Sequence, residues 1–175
     1  MRPAGPDDCD RILPLMERYY GEDGYPFVPA EARAALARFL GDPSLGRMWV
    51  FVAGGEVVGY TALTFGYSLE YRGRDAFVDE LYLLPEHRGG GAGSRALALL
   101  EDACRELGVR ALHLEAERAK PRLLSFYRRA GFAAHDRHLM TKPIARAIRG
   151  RRRARAAGVR ASRAPRPASP ARSAS

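Results

Sequence analysis

The chain is short of several things. Only two of its 175 residues are cysteine, Cys9 and Cys104, too few for a disulfide framework or a cysteine metal cluster. No apolar run approaches the roughly 20 residues that span a bilayer. The start, Met1-Arg2-Pro3-Ala4-Gly5-Pro6-Asp7-Asp8, lacks the apolar stretch of a secretion signal. These features set the expectation of a cytoplasmic protein that does not associate with membranes. Acidic residues are absent from 146–175, which holds ten arginines. The rest of the chain carries 19 basic and 20 acidic groups, so the formal charge of +9 belongs to the tail and not to the domain.

What is present divides at Lys142-Pro143. Residues 1–143 read as one domain: 46% of the whole chain is apolar and 28% charged, enough for a core of ordinary size. Residues 144–175 are Arg, Ala, Pro and Ser with few large aliphatics, a composition that cannot offset its ordering entropy, and they read as a disordered tail. Within the domain, spacing predicts helices over 7–20, with Asp7 or Asp8 as N-cap and an interruption at Pro14, and over 29–40. Strands follow at 48–52 and 57–63 around the hairpin signal Gly54-Gly55, then at 75–84. A helix over 92–107, a strand over 111–116, a helix over 120–130 and a terminal strand over 132–140 complete the order. A strand–helix–strand unit at 75–116 requires two parallel strands. The fold class is therefore α+β (mixed α/β), with helices covering a mixed sheet.

The most informative run is Arg88-Gly89-Gly90-Gly91-Ala92-Gly93-Ser94, placed between a strand and a helix. Glycines permit a tight turn and close approach of a ligand to the backbone. The helix start adds unpaired N–H groups and the positive end of the dipole, which together suit a phosphate. A Walker A loop is excluded because no Gly-Lys-Ser/Thr follows. A dinucleotide fingerprint competes, since Gly91-x-Gly93-x-x-Ala96 fits it and Glu115 lies 22 residues after Gly93. Against it stand the linker from Pro85 to Gly90, the preceding antiparallel hairpin, and too few following elements for a doubly wound sheet.

Arg88 to Gly93 matches the R/Q-x-x-G-x-G/A signature of the GNAT superfamily of acetyl-CoA-dependent N-acetyltransferases, which the chain resembles over roughly residues 1–142. Glu80-Leu81-Tyr82-Leu83-Leu84-Pro85 looks like that family's fourth strand, and Phe126-Tyr127-Arg128-Arg129-Ala130-Gly131-Phe132 is similar to its F/L-Y-x-x-x-G-F helix end. The resemblance implies a central, mostly antiparallel mixed sheet, a splayed parallel strand pair and helices on both faces. It implies acetyl-CoA as co-substrate and no metal. It places the diphosphate on Arg88, Gly89, Gly90, Gly91, Ala92, Gly93 and Ser94. It places a backbone N–H for the thioester oxygen in the stretch Leu81, Tyr82, Leu83. One departure is clear: Lys120 and Leu123 stand where the family often has Asn and Ala.

The implied chemistry is attack of an amine on the thioester. An alkylamine with a pKa of about 10.4 is mostly protonated at neutral pH, so a base is needed. Asp79, Glu80 and Glu115 are the candidates on the two parallel strands; Asp79 and Glu80, being adjacent, should face opposite ways, and Glu80 and Glu115 are not separable from sequence. By the resemblance, Tyr127 is the general acid that protonates the departing thiolate. By periodicity alone Tyr127 reads as a core residue on the buried stripe Leu123, Leu124, Tyr127.

For the acceptor, Phe65 to Asp75 and Glu22-Asp23-Gly24-Tyr25 offer acidic and aromatic groups suited to a small cationic amine. Protein N-terminal or lysine acetylation is the alternative. The arginine tail suits weak, nonspecific nucleic-acid association with strong salt dependence, or no function at all. A homodimer is compatible with this reading.

Overall fold

The computed structural model describes residues 1–142 and Ile144. The Arg-rich tail expected over 144–175 therefore lies, apart from Ile144, outside the described residues. Five strands form one sheet in the order β1 (Arg2–Pro3), β2 (Gly46–Ala53), β3 (Glu56–Ser68), β4 (Gly73–Leu83) and β5 (Ala111–Leu114). The first four pair antiparallel; β4 and β5 run parallel. Helices α1 (Cys9–Glu22) and α2 (Pro29–Gly41) cover one face, while α3 (Ala92–Glu106) and α4 (Pro121–Arg129) cover the other. No described helix is long and apolar enough to cross a membrane.

The layers follow from alternation along the strands. Met48, Val50, Tyr60, Ala62 and Tyr82 pack against Ile12, Leu15 and Met16 of α1 and Leu36 of α2. The opposite face buries Trp49, Leu63, Ala76 and Val78 against Leu97, Leu100 and Cys104 of α3, with Phe126 and Tyr127 of α4 at the margin. The β2–β3 hairpin is tight: Ala53 pairs with Glu56, and Gly54 and Gly55 take φ of 59° and 89°, a region closed to most side chains.

Several expectations are corrected. Residues 132–142 form no strand; the run His135-Asp136-Arg137-His138 puts four polar side chains in succession, where a half-buried strand needs alternation. The break expected at Pro14 is absent, and α1 continues through it. Asp8 does not cap α1 with its side chain; instead it accepts bonds from Arg2 (2.7 and 2.6 Å) and from the Gly5 N–H (3.0 Å). The fifth strand ends at Leu114, so Glu115 lies just beyond it and is exposed.

The irregularity that shapes the site is in β4. Ala62 pairs with Glu80 but Leu63 pairs with Val78, which leaves Asp79 as the extra residue of a β-bulge. Pairing of β4 with β5 covers Asp75 to Val78 against Ala111 to Leu114 and stops there. From the bulge onward the two parallel strands have separated.

Candidate active site

Strict alternation would put Glu80 on the same face as Val78. The bulge reverses this: Val78 packs under α3, whereas Glu80 turns toward α1. There Oε1 accepts a bond from the Tyr20 phenol and Oε2 one from the Tyr60 phenol, both at 2.7 Å. Burial raises the Glu80 pKa above the usual carboxylate value, and the Asp79 charge adds to the effect. The two phenol bonds, which favour the ionised form, only partly offset it. The phenols are in turn held firmly protonated, chiefly by their own burial. Asp79 is exposed. Of the three carboxylates singled out from sequence, one is thus enclosed at the point where β4 and β5 part.

Backbone groups line the opening. Leu84 N–H donates to Val58 O and Thr61 Oγ1 to Glu80 O, so alternate peptide groups of β4 point to β3. By the same alternation the backbone of Leu81 and Leu83 faces away from β3, into the gap, and that of Tyr82 does not. The Tyr82 side chain lies on the α1 face, with its hydroxyl donating to Glu22 at 2.9 Å.

The glycine turn precedes α3 as expected. Gly89 and Gly91 have φ of 84° and 77°, so the turn depends on residues without a Cβ. Gly91 is the N-cap of α3, and no side chain caps the first turn. The N–H groups that open a helix have no partner within it, which leaves those of Ala92, Gly93 and Ser94 for a ligand. The two sequence motifs also meet in space. A Cβ on Gly93 would lie 3.2 Å from the Phe126 ring, so the helix after the glycine turn packs directly on the helix that carries Tyr127. Tyr127 is half-buried beside Phe126 and Phe132, and burial raises its pKa.

Arg88, expected at the phosphate, has protein partners around its guanidinium. Its guanidinium crosses the end of β4 to Glu22 (2.9 and 3.0 Å), donates to Leu83 O (2.7 Å), and lies 5.3 Å from the centre of the Tyr82 ring. Lys120, the residue standing in the family's Asn position, pairs with Asp23 at 2.9 Å and Glu117 at 2.8 Å. Sequence reading missed the partners of both cations and the roles of Tyr20 and Tyr60. An aromatic pair at 19–20 carries no motif; the partners become visible only once the sheet is assembled. The two expected acceptor segments are not brought together. Glu22 to Tyr25 flank Tyr82 and Tyr20, whereas the β3–β4 turn at Arg72 lies ten residues along β4 from Tyr82, about 30 Å of extended strand. A concavity of about 470 Å³ opens elsewhere, at the β1–β2 edge beside Phe39, Trp49 and Ala103.

A glycine turn leading into an uncapped helix start, next to a splayed parallel pair with an enclosed carboxylate, defines an acyl-CoA-type acyltransferase site. Comparison with known proteins agrees: the sequence model of the Acetyltransferase (GNAT) family matches residues 10–132. The chain is 31% identical over 128 residues to an IAA acetyltransferase of Azospirillum brasilense, covering 73% of this chain and 78% of that one. An integron cassette protein from the mobile metagenome of Cole Harbour Salt Marsh superposes with a TM-score of 0.75 at 38% identity, covering 84% and 91% of the two chains. A protein of Clostridium acetobutylicum named a predicted acetyltransferase, solved with acetyl-CoA, shares the fold at a TM-score of 0.68 and 20% identity, covering 81% and 94%. The chain belongs to the GNAT family and is an acetyl-CoA acetyltransferase.

Proposed function

We propose that the protein moves the acetyl group of acetyl-CoA onto the nitrogen of a small primary amine by direct attack. The observation that carries this reading is the enclosure of Glu80 by Tyr20 and Tyr60 where β4 and β5 separate. A carboxylate whose pKa is raised is a better base near neutral pH than an exposed one. It takes the proton of the incoming ammonium. The freed nitrogen forms a bond to the thioester carbon, the carbon–sulfur bond breaks, and the electron pair leaves with sulfur; the nitrogen gives up its second surplus proton to solvent as the neutral amide forms, and the Tyr127 phenol is restored from solvent after its own transfer. The Leu81 N–H, facing the gap, stabilises the charge that develops on the carbonyl oxygen. Tyr127, kept protonated by its burial, gives its proton to the thiolate. The N–H groups at Gly89 to Ser94 hold the diphosphate.

The acceptor enters past α1, where Tyr25 is 45% exposed and stands edge-on to Tyr20. That wall suits a compact amine better than a long basic peptide, because Glu22 and Asp23 are already paired with Arg88 and Lys120. The test is calorimetry with acetyl-CoA, followed by a thiol-release assay on phenethylamine, putrescine, lysine amide, glucosamine and a peptide with a free N-terminus. Release with one or more of the small amines supports the reading. Release with the peptide alone would replace it by protein acetylation, and no release with any amine would end it.

A further inference from the structure

Two adjacent residues at the end of α1 reach the two walls of the cleft. Glu22 holds the β4 side: it accepts two bonds from Arg88 and one from the Tyr82 hydroxyl. Asp23 holds the β5 side through Lys120, which stands at the head of α4 and is anchored a second time by Glu117. The sequence separations are 66 and 97 residues, so neither contact is a consequence of local chain geometry. Both walls are joined to one helix end, and Tyr20 lies one helical turn or less before it.

This arrangement sets an unusual charge balance. Two carboxylates at the mouth of the acceptor side would attract a cation if they were free, yet each is neutralised by a cation of the same chain. Their work is therefore geometric. They set how far β4 and the β5–α4 connection stand apart, and they fix the end of α1 from which Tyr20 reaches Glu80. Arg88 is committed to the same work. Its guanidinium is directed to the α1 side, and the anion site can be formed by backbone N–H groups of the glycine turn without it.

We propose that Glu22 and Asp23 are positioning residues that set the acceptor opening by tying Arg88 on one wall and Lys120 on the other, and that Arg88 serves this bridge rather than the diphosphate. The proposal rests on the amine-acetylation reading, because it assigns the α1 side of the gap to the acceptor. The Arg88–Glu22 pair is substantially exposed, with side chains at 44% and 41%, so it adds little to global stability and its loss should leave the fold intact; in the second pair Lys120 is exposed but Asp23 is 17% exposed, so the melt of Asp23→Asn is the control for folding there.

The experiment uses the full chain and the variants Glu22→Gln, Asp23→Asn and Arg88→Gln, with the double variant Glu22→Gln/Arg88→Gln. Calorimetry gives the Kd for CoA. Steady-state assays give KM for the panel amine that the wild type turns over best, and thermal melts monitor folding. The expected result is at least a fivefold rise in amine KM for each single variant, with the CoA Kd within twofold of wild type. The double variant should be no worse than the poorer single one, since both remove the same contact. A tenfold or greater weakening of CoA binding in Arg88→Gln with amine KM unmoved would overturn the proposal and return Arg88 to the phosphate. Unchanged amine KM in all variants, or parallel loss of both constants, would also overturn it. Failure of the wild type to bind acetyl-CoA or acetylate any amine is seen before a variant is made, and it counts against the underlying reading instead.

Discussion

Tyr60 on β3 donates its phenolic proton to Oε2 of Glu80 on β4 at 2.7 Å, across a pair of strands whose register is broken by a bulge at Asp79. That bond exists because the bulge at Asp79 turns Glu80 to the side where Tyr60 is fully buried. Replacing Glu80 by Gln keeps the volume and removes the charge. The rate of acetylation should fall by roughly 10²–10⁴-fold, the usual contribution of a general base. In the wild type, kcat/KM should rise with pH through a step above the ordinary carboxylate range, and Glu80→Gln should lack that step. A pH–rate profile of the two proteins checks both points.

The same substitution has a stability consequence of opposite sign. A carboxyl whose pKa is higher in the folded than in the unfolded chain stabilises the fold fully below the unfolded value, about 4.3 for Glu. That contribution is lost as pH rises through the folded value. Glu80→Gln should therefore melt higher than wild type at pH 8, and its advantage should shrink toward pH 4. Equal melting temperatures across that range would mean that the buried charge carries no cost.

Tyr127→Phe should lower kcat by roughly tenfold or more, within the range of acid catalysis, and leave the Kd for CoA unchanged. The ring packing against Phe126 and Phe132 survives the change, so the melting temperature should hold. Unaltered turnover would return Tyr127 to the core and remove it from the chemistry.

The glycine turn allows a paired test. Gly91 sits at φ 77°, whereas Gly90 has no positive φ and nothing within 4 Å of a built Cβ. Gly91→Ala should cost about 1–2 kcal/mol and weaken CoA binding; Gly90→Ala should melt like wild type. Thermal melts on the two single variants decide it.

At the N-terminus, Asp8 is nearly buried and its pKa falls to about 2, with the Arg2 hydrogen bonds the largest cause. Here the fold gains stability above the unfolded carboxyl value, about 3.9 for Asp, and loses it as pH falls through about 2. Asp8→Asn should destabilise by roughly 2 kcal/mol at neutral pH, since a charge-assisted fork to Arg2 is lost. The gap to wild type should close in acid. Chemical denaturation at pH 7 and pH 2 measures it.

The parts legible in the sequence were those that a few neighbouring residues decide. The Gly54-Gly55 hairpin, the strand leading to Leu83, the glycine turn and the helix after it all lie where the pattern put them. The two-residue strand at Arg2–Pro3 was too short to have a period. The bulge at Asp79 carries no glycine to announce it, and it places Glu80 on the face opposite Val78, where a period of two would have put them together.

What the chain determined by itself is the turn at Gly89 to Gly93, because a positive φ is open to a residue that lacks a Cβ whatever surrounds it, together with the two motifs that place the protein in its family. Tertiary structure alone decided which carboxylate is enclosed and where the cations go. One of the two phenols bonded to Glu80, Tyr20, lies 60 residues away, and the Arg88 guanidinium is bonded to Glu22, 66 residues away. Charge and burial are properties of what lies across the sheet, and no local pattern encodes them.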